Sequence, residues 1–210
     1  MIRLQKLEEP ESLKRNRKRW TKELLEAIEA GNKKLVNQRK KKYNQKDVKE
    51  QLRRETKDKC AYCESRVTVV AHGDIEHVTP KSVKPEHTFE WNNLTFACQI
   101  CNQNKSDKEN IFDPYNDSMT EIVFLAPPYL IGRSIQTQRT IIQLDLNRPA
   151  LIEDRVAHTK DFSLALEAID REQNDELRTL LISQLERELD YGEAEYILMK
   201  RSLLDGYKKQ

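Results

Sequence analysis

The sequence predicts an α+β protein: a small strand–strand–helix core stapled by cysteines and flanked by N- and C-terminal helices. Three observations predict it. The four cysteines of this 210-residue chain fall in two Cys-x-x-Cys pairs, Cys60/Cys63 and Cys98/Cys101. The stretch between the pairs carries β-branched runs and turn signals. Both flanks show apolar residues at helical spacing. Four regions are expected: a basic helical region over 1–59, the cysteine-bounded core over 60–112, a connector of short strands and loops over 113–150, and a helical region over 151–210 suited to docking a partner.

In the first region, a helix is expected to start near Trp20, with Thr21 as its cap and Trp20 stapled onto Leu25. Leu24, Leu25 and Ile28 fall on one face, and Gly31 is the expected stop. A second helix is expected from Asp47, with Glu50 as capping-box partner, running toward Lys59. In the core, Arg66–Ala71 reads as a strand, His72-Gly73 as a turn and Ile75–Val78 as the returning strand, stopped by Pro80. A short helix is expected from Asn102 to Lys108. In the connector, strands are expected over 121–125 and 140–146, punctuated by Pro127-Pro128 and Pro149. Three helical stripes fill 151–210, around Leu164/Ile169, Leu177/Leu189 and Ile197/Leu203.

Composition narrows the chemistry. Hydrophobic residues make up 37% and charged residues 34%. So low an apolar share predicts a thin core that a bound metal helps to hold. No apolar run reaches the length of a membrane span, and Met1–Lys6 lacks the apolar stretch of a secretion signal. A cytoplasmic location is expected, where paired cysteines bind metal rather than form disulfides. The net charge of +2 conceals an asymmetry: residues 1–59 hold twenty Lys/Arg against ten Asp/Glu, and the remainder seventeen against twenty-five. A basic front suits a polyanion such as nucleic acid.

Four thiolates suit tetrahedral Zn2+, and each Cys-x-x-Cys turn brings two sulfurs to one ion. Four sulfurs fill the coordination sphere, so this zinc is expected to be structural. Thirty-four residues separate Cys63 from Cys98, enough to hold an inserted functional element.

That insertion contains Asp74-Ile75-Glu76-His77 and, before the second pair, Trp91-Asn92-Asn93-Leu94; Asn102 follows Cys101 directly. Hydrolysis of a phosphodiester needs a base, a divalent cation and a group that orients the base. His77 titrates near neutrality and suits the base. Glu76 offers a hard oxygen for Mg2+ or Mn2+, and Asn102 a second. Asn93 suits a backbone clamp near His77. In an ideal strand Glu76 and His77 point to opposite faces, so a twist or bulge is expected at the strand end.

The span Cys60–Asp107 resembles the HNH nuclease family, whose pattern reads acidic-His, Asn-Leu, then Cys-x-x-Cys followed by His or Asn. Glu76-His77, Asn93-Leu94 and Cys101-Asn102 occupy those places. The resemblance implies a zinc-stapled ββα-metal HNH core. His77 would be general base, Asn93 the central structural asparagine, and Glu76 and Asn102 the ligands of a catalytic Mg2+ or Mn2+. Glu stands where Asp is more usual and Asn where a final His often sits, which leaves Asp74 as an alternative ligand. More narrowly, Ile75-Glu76-His77, Pro80-Lys81-Ser82 and Cys98-Gln99-Ile100-Cys101-Asn102 look like the HNH subunit of Septu-type and retron-associated antiphage systems. That resemblance implies an ABC- or SMC-like ATPase partner and, in the retron case, a reverse transcriptase with its noncoding DNA.

Nucleic acid would be held by Lys81, Lys84, Lys105 and Lys108 near the site, and by the basic run Arg39, Lys40, Lys41 and Lys42. The acidic tail, including Glu186, Glu193 and Glu195, suits a basic partner surface. DNA is the expected substrate and structured RNA such as tRNA the second. The reading from another class is a non-catalytic, zinc-stapled adaptor that binds nucleic acid.

Overall fold

In a computed structural model, which describes residues 2–69 and 71–209, the chain builds a mixed α and β fold around one cysteine-bounded core. Helix α1 spans Glu11–Glu29, α2 Lys33–Lys40 and α3 Lys46–Thr56. The helical spacing of Leu13, Trp20, Leu24 and Ala27 gives α1 its buried face. The helix therefore begins after Pro10, not at Trp20. Trp20 sits mid-helix with its ring 5.6 Å from that of Phe89 in an edge contact, and Thr21 caps nothing. Leu25 and Ile28 are exposed.

Helix α3 starts at Lys46, one residue before the expected position, and ends at Thr56. Asp47 does not form a capping box there. Its carboxylate accepts from Ser12 N and Oγ, at 3.0 and 2.8 Å, and so ties α3 to α1. Val48 and Leu52 are fully buried and face the core.

The central hairpin pairs β1 (Asp74–His77) with β2 (Leu94–Ala97), antiparallel, with Glu76 opposite Thr95 and His77 opposite Leu94. Helix α4 (Gln99–Lys105) follows directly. The expected strand over 66–71 does not form. Arg66 makes an isolated bridge to Lys59, residues 67–69 turn, and Val70 lies outside the described residues. The strand partner of β1 comes instead from Leu94–Ala97, which the sequence reading left unassigned. β-branched residues favour strands only where a partner edge is offered, and Val67 is used for core packing instead.

Gly73 sets the entry to β1. Its φ is +61°, and a Cβ there would fall 2.2 Å from Phe96 Cζ. Only glycine satisfies both the turn and the close approach.

Beyond the core, β3 (Ile122–Ala126) pairs with β4 (Tyr129–Gly132). The expected strand at 140–146 is largely helix: α5 covers Ile135–Gln143. Ser134 and Thr137 form its capping box, and Thr137, Thr140 and Ile141 are its buried stripe. That helical spacing outweighed the strand propensity of Ile141-Ile142. Three helices complete the chain as expected: α6 (Pro149–Asp170), α7 (Asp175–Tyr191) and α8 (Ile197–Tyr207). They share a second apolar cluster around Phe162, Leu166, Leu189, Ile197 and Leu204. Among the described residues, no helix is long and apolar enough to cross a membrane.

Candidate active site and metal centre

The two cysteine pairs meet. The sulfurs of Cys60, Cys63, Cys98 and Cys101 all lie within 4.8 Å of one another, and Cys63 Sγ is 3.9 Å from Cys98 Sγ. Tetrahedral zinc–sulfur bonds of about 2.3 Å place sulfurs roughly 3.8 Å apart, so the set fits a single Zn2+. Arg148, at the start of α6, brings Nη1 to 3.9 Å from Cys101 Sγ, a cation beside the sulfurs.

The staple fixes the hairpin and α4 together. Ala61 N donates to Phe96 O at 2.9 Å, which sews the first cysteine turn to β2. Cys98 caps α4, its sulfur accepting from Cys101 N at 3.5 Å. Asn102 and Lys105 stand three residues apart on α4 and so face one side. That side is turned to β1.

A cleft of about 380 Å³ opens there, lined by Glu76, His77, Pro80, Lys81, Asn102 and Asp107 among others. Glu76 and His77 therefore reach the same space despite their alternation along β1. The register is unbroken through Glu76 and His77, so the expected bulge does not form, and the chain bends only after His77, through Val78-Thr79.

His77 is buried, and its Nε2 lies 3.0 Å from Thr88 O. A carbonyl only accepts, so Nε2 carries the proton and donates, and Nδ1 keeps its lone pair. Tyr43 packs edge-on against the imidazole, ring centroids 4.5 Å apart. Burial, with Lys81 adding to it, lowers the His77 pKa to about 3, well below the near-neutral titration expected from the residue type, so the ring is neutral at physiological pH.

Asn93 clamps the loop that follows. Its Oδ1 accepts from Thr79 N at 2.7 Å, and its Nδ2 donates to Thr79 O and His87 O at 3.0 and 3.1 Å. Asn102 Nδ2 donates to Asp74 Oδ2 at 2.9 Å, which turns its amide oxygen away from Asp74. Glu76 is buried, and Lys105 Nζ lies 2.9 Å from its Oε1. Burial raises the Glu76 carboxyl above the usual carboxylate range, against the opposing pull of Lys105. The donor set of a carboxylate and an amide oxygen beside a neutral imidazole fits a hard divalent ion such as Mg2+ or Mn2+.

The expected nucleic-acid contacts fare unevenly. Lys81 lines the cleft, and its Nζ donates to Tyr43 Oη at 3.2 Å. Lys84 and Lys108 are exposed, with Lys108 donating to Asn104 O. Lys105 is a correction. It has no exposed surface, and its Nζ donates to His77 O at 2.6 Å, so it braces the site from inside and cannot meet solvent-borne phosphate. Of the basic run, Arg39 and Lys42 both pair with Glu23 at 2.5 Å, Lys40 is half-buried, and Lys41 is exposed. The acidic tail is also partly used within the chain: Glu195 accepts from Arg66 N, and Glu186 pairs with Lys208.

Sequence reasoning missed two supports. Tyr43 packs its ring edge-on against His77. Lys6 donates to Glu55 Oε2 and Leu94 O, at 3.1 and 2.5 Å, beneath the hairpin. The helical spacing of Asn102 and Lys105 was a signal for Lys105; nothing in the local sequence pointed to Lys6.

Comparison with known proteins agrees with this geometry. Residues 60–108 match the family described as HNH endonuclease. The chain is also 35% identical over 89 residues to a Septu protein PtuB from Bacillus mycoides (strain KBAB4). That similarity covers 36% of this chain and 30% of the relative's length.

Proposed function

From the premise that residues 60–108 are an HNH endonuclease domain, we propose that the protein is a metal-dependent endonuclease cutting phosphodiester bonds in DNA. One observation carries the reading: Glu76, His77 and Asn102 converge on a single open cleft.

Thr88 O fixes the His77 tautomer, so Nδ1 is the nitrogen that takes a proton from the attacking water. Tyr43 restrains the ring, and Asn93 holds the loop behind it. Glu76 and Asn102 would hold the divalent ion. When bound, that ion supplies positive charge to the phosphate and to the leaving oxygen. Asp74 is assigned the orientation of Asn102 rather than a ligand role, because it grips the amide and does not line the cleft. Lys81, which lines the cleft, and the exposed Lys84, Lys108 and Lys41 are the cations proposed to follow the phosphate backbone.

The likeness to a Septu protein supports a role as effector of an antiphage defence complex. An ABC- or SMC-like ATPase is the proposed partner, with a reverse transcriptase and its noncoding DNA in a retron-type assembly.

The test is incubation of the purified chain, alone and with the ATPase, with supercoiled DNA and with tRNA, in Mg2+, Mn2+ or EDTA. Nicking of DNA that needs the ion supports the proposal. Cleavage of tRNA alone would move the substrate to RNA, and binding without cleavage under every condition would favour the adaptor.

A further inference from the structure

A second set of ligating side chains meets on the far side of the cysteine turn. Asp154 and His158 lie one turn apart on α6, and Glu195 lies in the turn between α7 and α8. His158 Nε2 is 4.0 Å from Asp154 Oδ1 and 3.8 Å from Glu195 Oε2, and one ligand atom from each residue falls within 4.8 Å of the others. Those separations are too long for the hydrogen bonds of a protonated imidazole, which close to about 2.8 Å. They leave room for an ion between the groups.

Both carboxylates are gripped from outside the cluster. Asp154 Oδ2 accepts from the Tyr196 hydroxyl, which also lies 2.8 Å from Ser65 Oγ. Glu195 Oε1 accepts from Arg66 N at 2.5 Å. In each case the second oxygen is the one nearest His158. The Tyr196 ring packs edge-on against His158, centroids 5.1 Å apart. Ligands whose outer atoms are fixed by hydrogen bonds are the mark of a supported metal site.

We propose that Asp154, His158 and Glu195 bind a second divalent transition ion of the Zn2+ class, separate from the cysteine site and from the cleft. An imidazole nitrogen with two carboxylates suits zinc, whereas Mg2+ and Ca2+ favour all-oxygen sets. Ligand bonds of about 2.1 Å set neighbouring donors roughly 3.4 Å apart, so a contraction of well under an ångström closes the two measured gaps. All three residues are partly accessible, which gives the ion a way in.

The site has a structural consequence. Lys59 Nζ donates to Gly192 O and Ala194 O at 2.5 and 2.6 Å, and Arg66 Nη2 donates to Glu193 O at 2.8 Å. The turn that supplies Glu195 is thus already seated on the first cysteine turn. The ion fastens α6 to that turn, and through it the C-terminal helices to the cysteine core.

The test uses the untagged full chain, with Glu195→Gln and His158→Ala, in equilibrium dialysis against Zn2+. Glutamine keeps an oxygen for Arg66 N but sets a neutral amide beside the ion. Each variant is expected to hold one zinc fewer per chain than the parent, with unchanged far-UV circular dichroism. Zinc at a hundred times its dissociation constant is expected to raise the parent Tm by roughly 5–10 °C more than that of Glu195→Gln. Should His158→Ala fail to fold, Glu195→Gln decides alone. Equal zinc content and equal zinc response in parent and Glu195→Gln overturn the proposal.

Discussion

Lys105 places its ammonium 2.9 Å from Glu76 Oε1 with neither side chain appreciably exposed. The same nitrogen donates to His77 O, so one lysine holds both the Glu76 carboxylate and the backbone of His77. Removing the cation strands a buried carboxylate. Lys105→Met is expected to destabilise the fold by about 3 kcal/mol in urea unfolding, within the range for breaking a buried pair. A loss below about 0.5 kcal/mol would show that Lys105 is not a brace.

The cysteine centre is expected to be the condition for folding. Cys101→Ser leaves three thiolates and loosens the cap of α4 that carries Asn102. The variant is expected to lose the cysteine-bound zinc and its cooperative thermal transition together, followed by metal analysis and circular dichroism. A cooperative, zinc-free Cys101→Ser protein would refute the staple.

Gly73→Ala tests the entry to β1. The added Cβ meets the Phe96 ring in a backbone conformation that alanine avoids. A loss of about 2–4 kcal/mol is expected from overpacking and strain, read by urea unfolding.

Stability is expected to fall with acid through His77. Its folded pKa is depressed to about 3, against about 6.5 unfolded. Between those values the unfolded chain binds the extra proton, so stability rises with pH there and is lost as pH falls. The slope from this group is about 1.4 kcal/mol per pH unit. His77→Ala with zinc at the cysteines, measured without Mg2+ or Mn2+, should show a correspondingly flatter profile than the parent under the same conditions between pH 4 and 6.5; an unchanged slope would mean His77 is not buried neutral.

The site was more legible in the sequence than the scaffold around it. Cys60, Cys63, Cys98 and Cys101 announced their meeting because Cys-x-x-Cys spacing is a local geometric fact. Glu76, His77 and Asn102 sit on elements adjacent to that staple, so its closure brings them together. The first strand was misplaced because Val67, Thr68 and Val69 carry strand propensity without a partner edge, while Leu94–Ala97 gains its pairing from the tertiary fold. Helix α5 was hidden by Ile141-Ile142, and its identity lay in the longer spacing of Thr137, Thr140 and Ile141. Lys105 looked like a surface cation because charge suggests exposure, and only the packing of α4 on β1 shows it buried. The support from Lys6 spans 88 positions to Leu94, a contact that no local pattern encodes.

The central claim is that His77 is the base of a nuclease cleft. Its most direct test is the single-turnover cleavage rate of His77→Ala on duplex DNA with Mn2+, using protein of matched zinc content and circular dichroism. The account predicts a fall of at least about 100-fold, the lower range for loss of a general base, with the fold intact. Cleavage at the parent rate by a folded, zinc-loaded His77→Ala protein would contradict it.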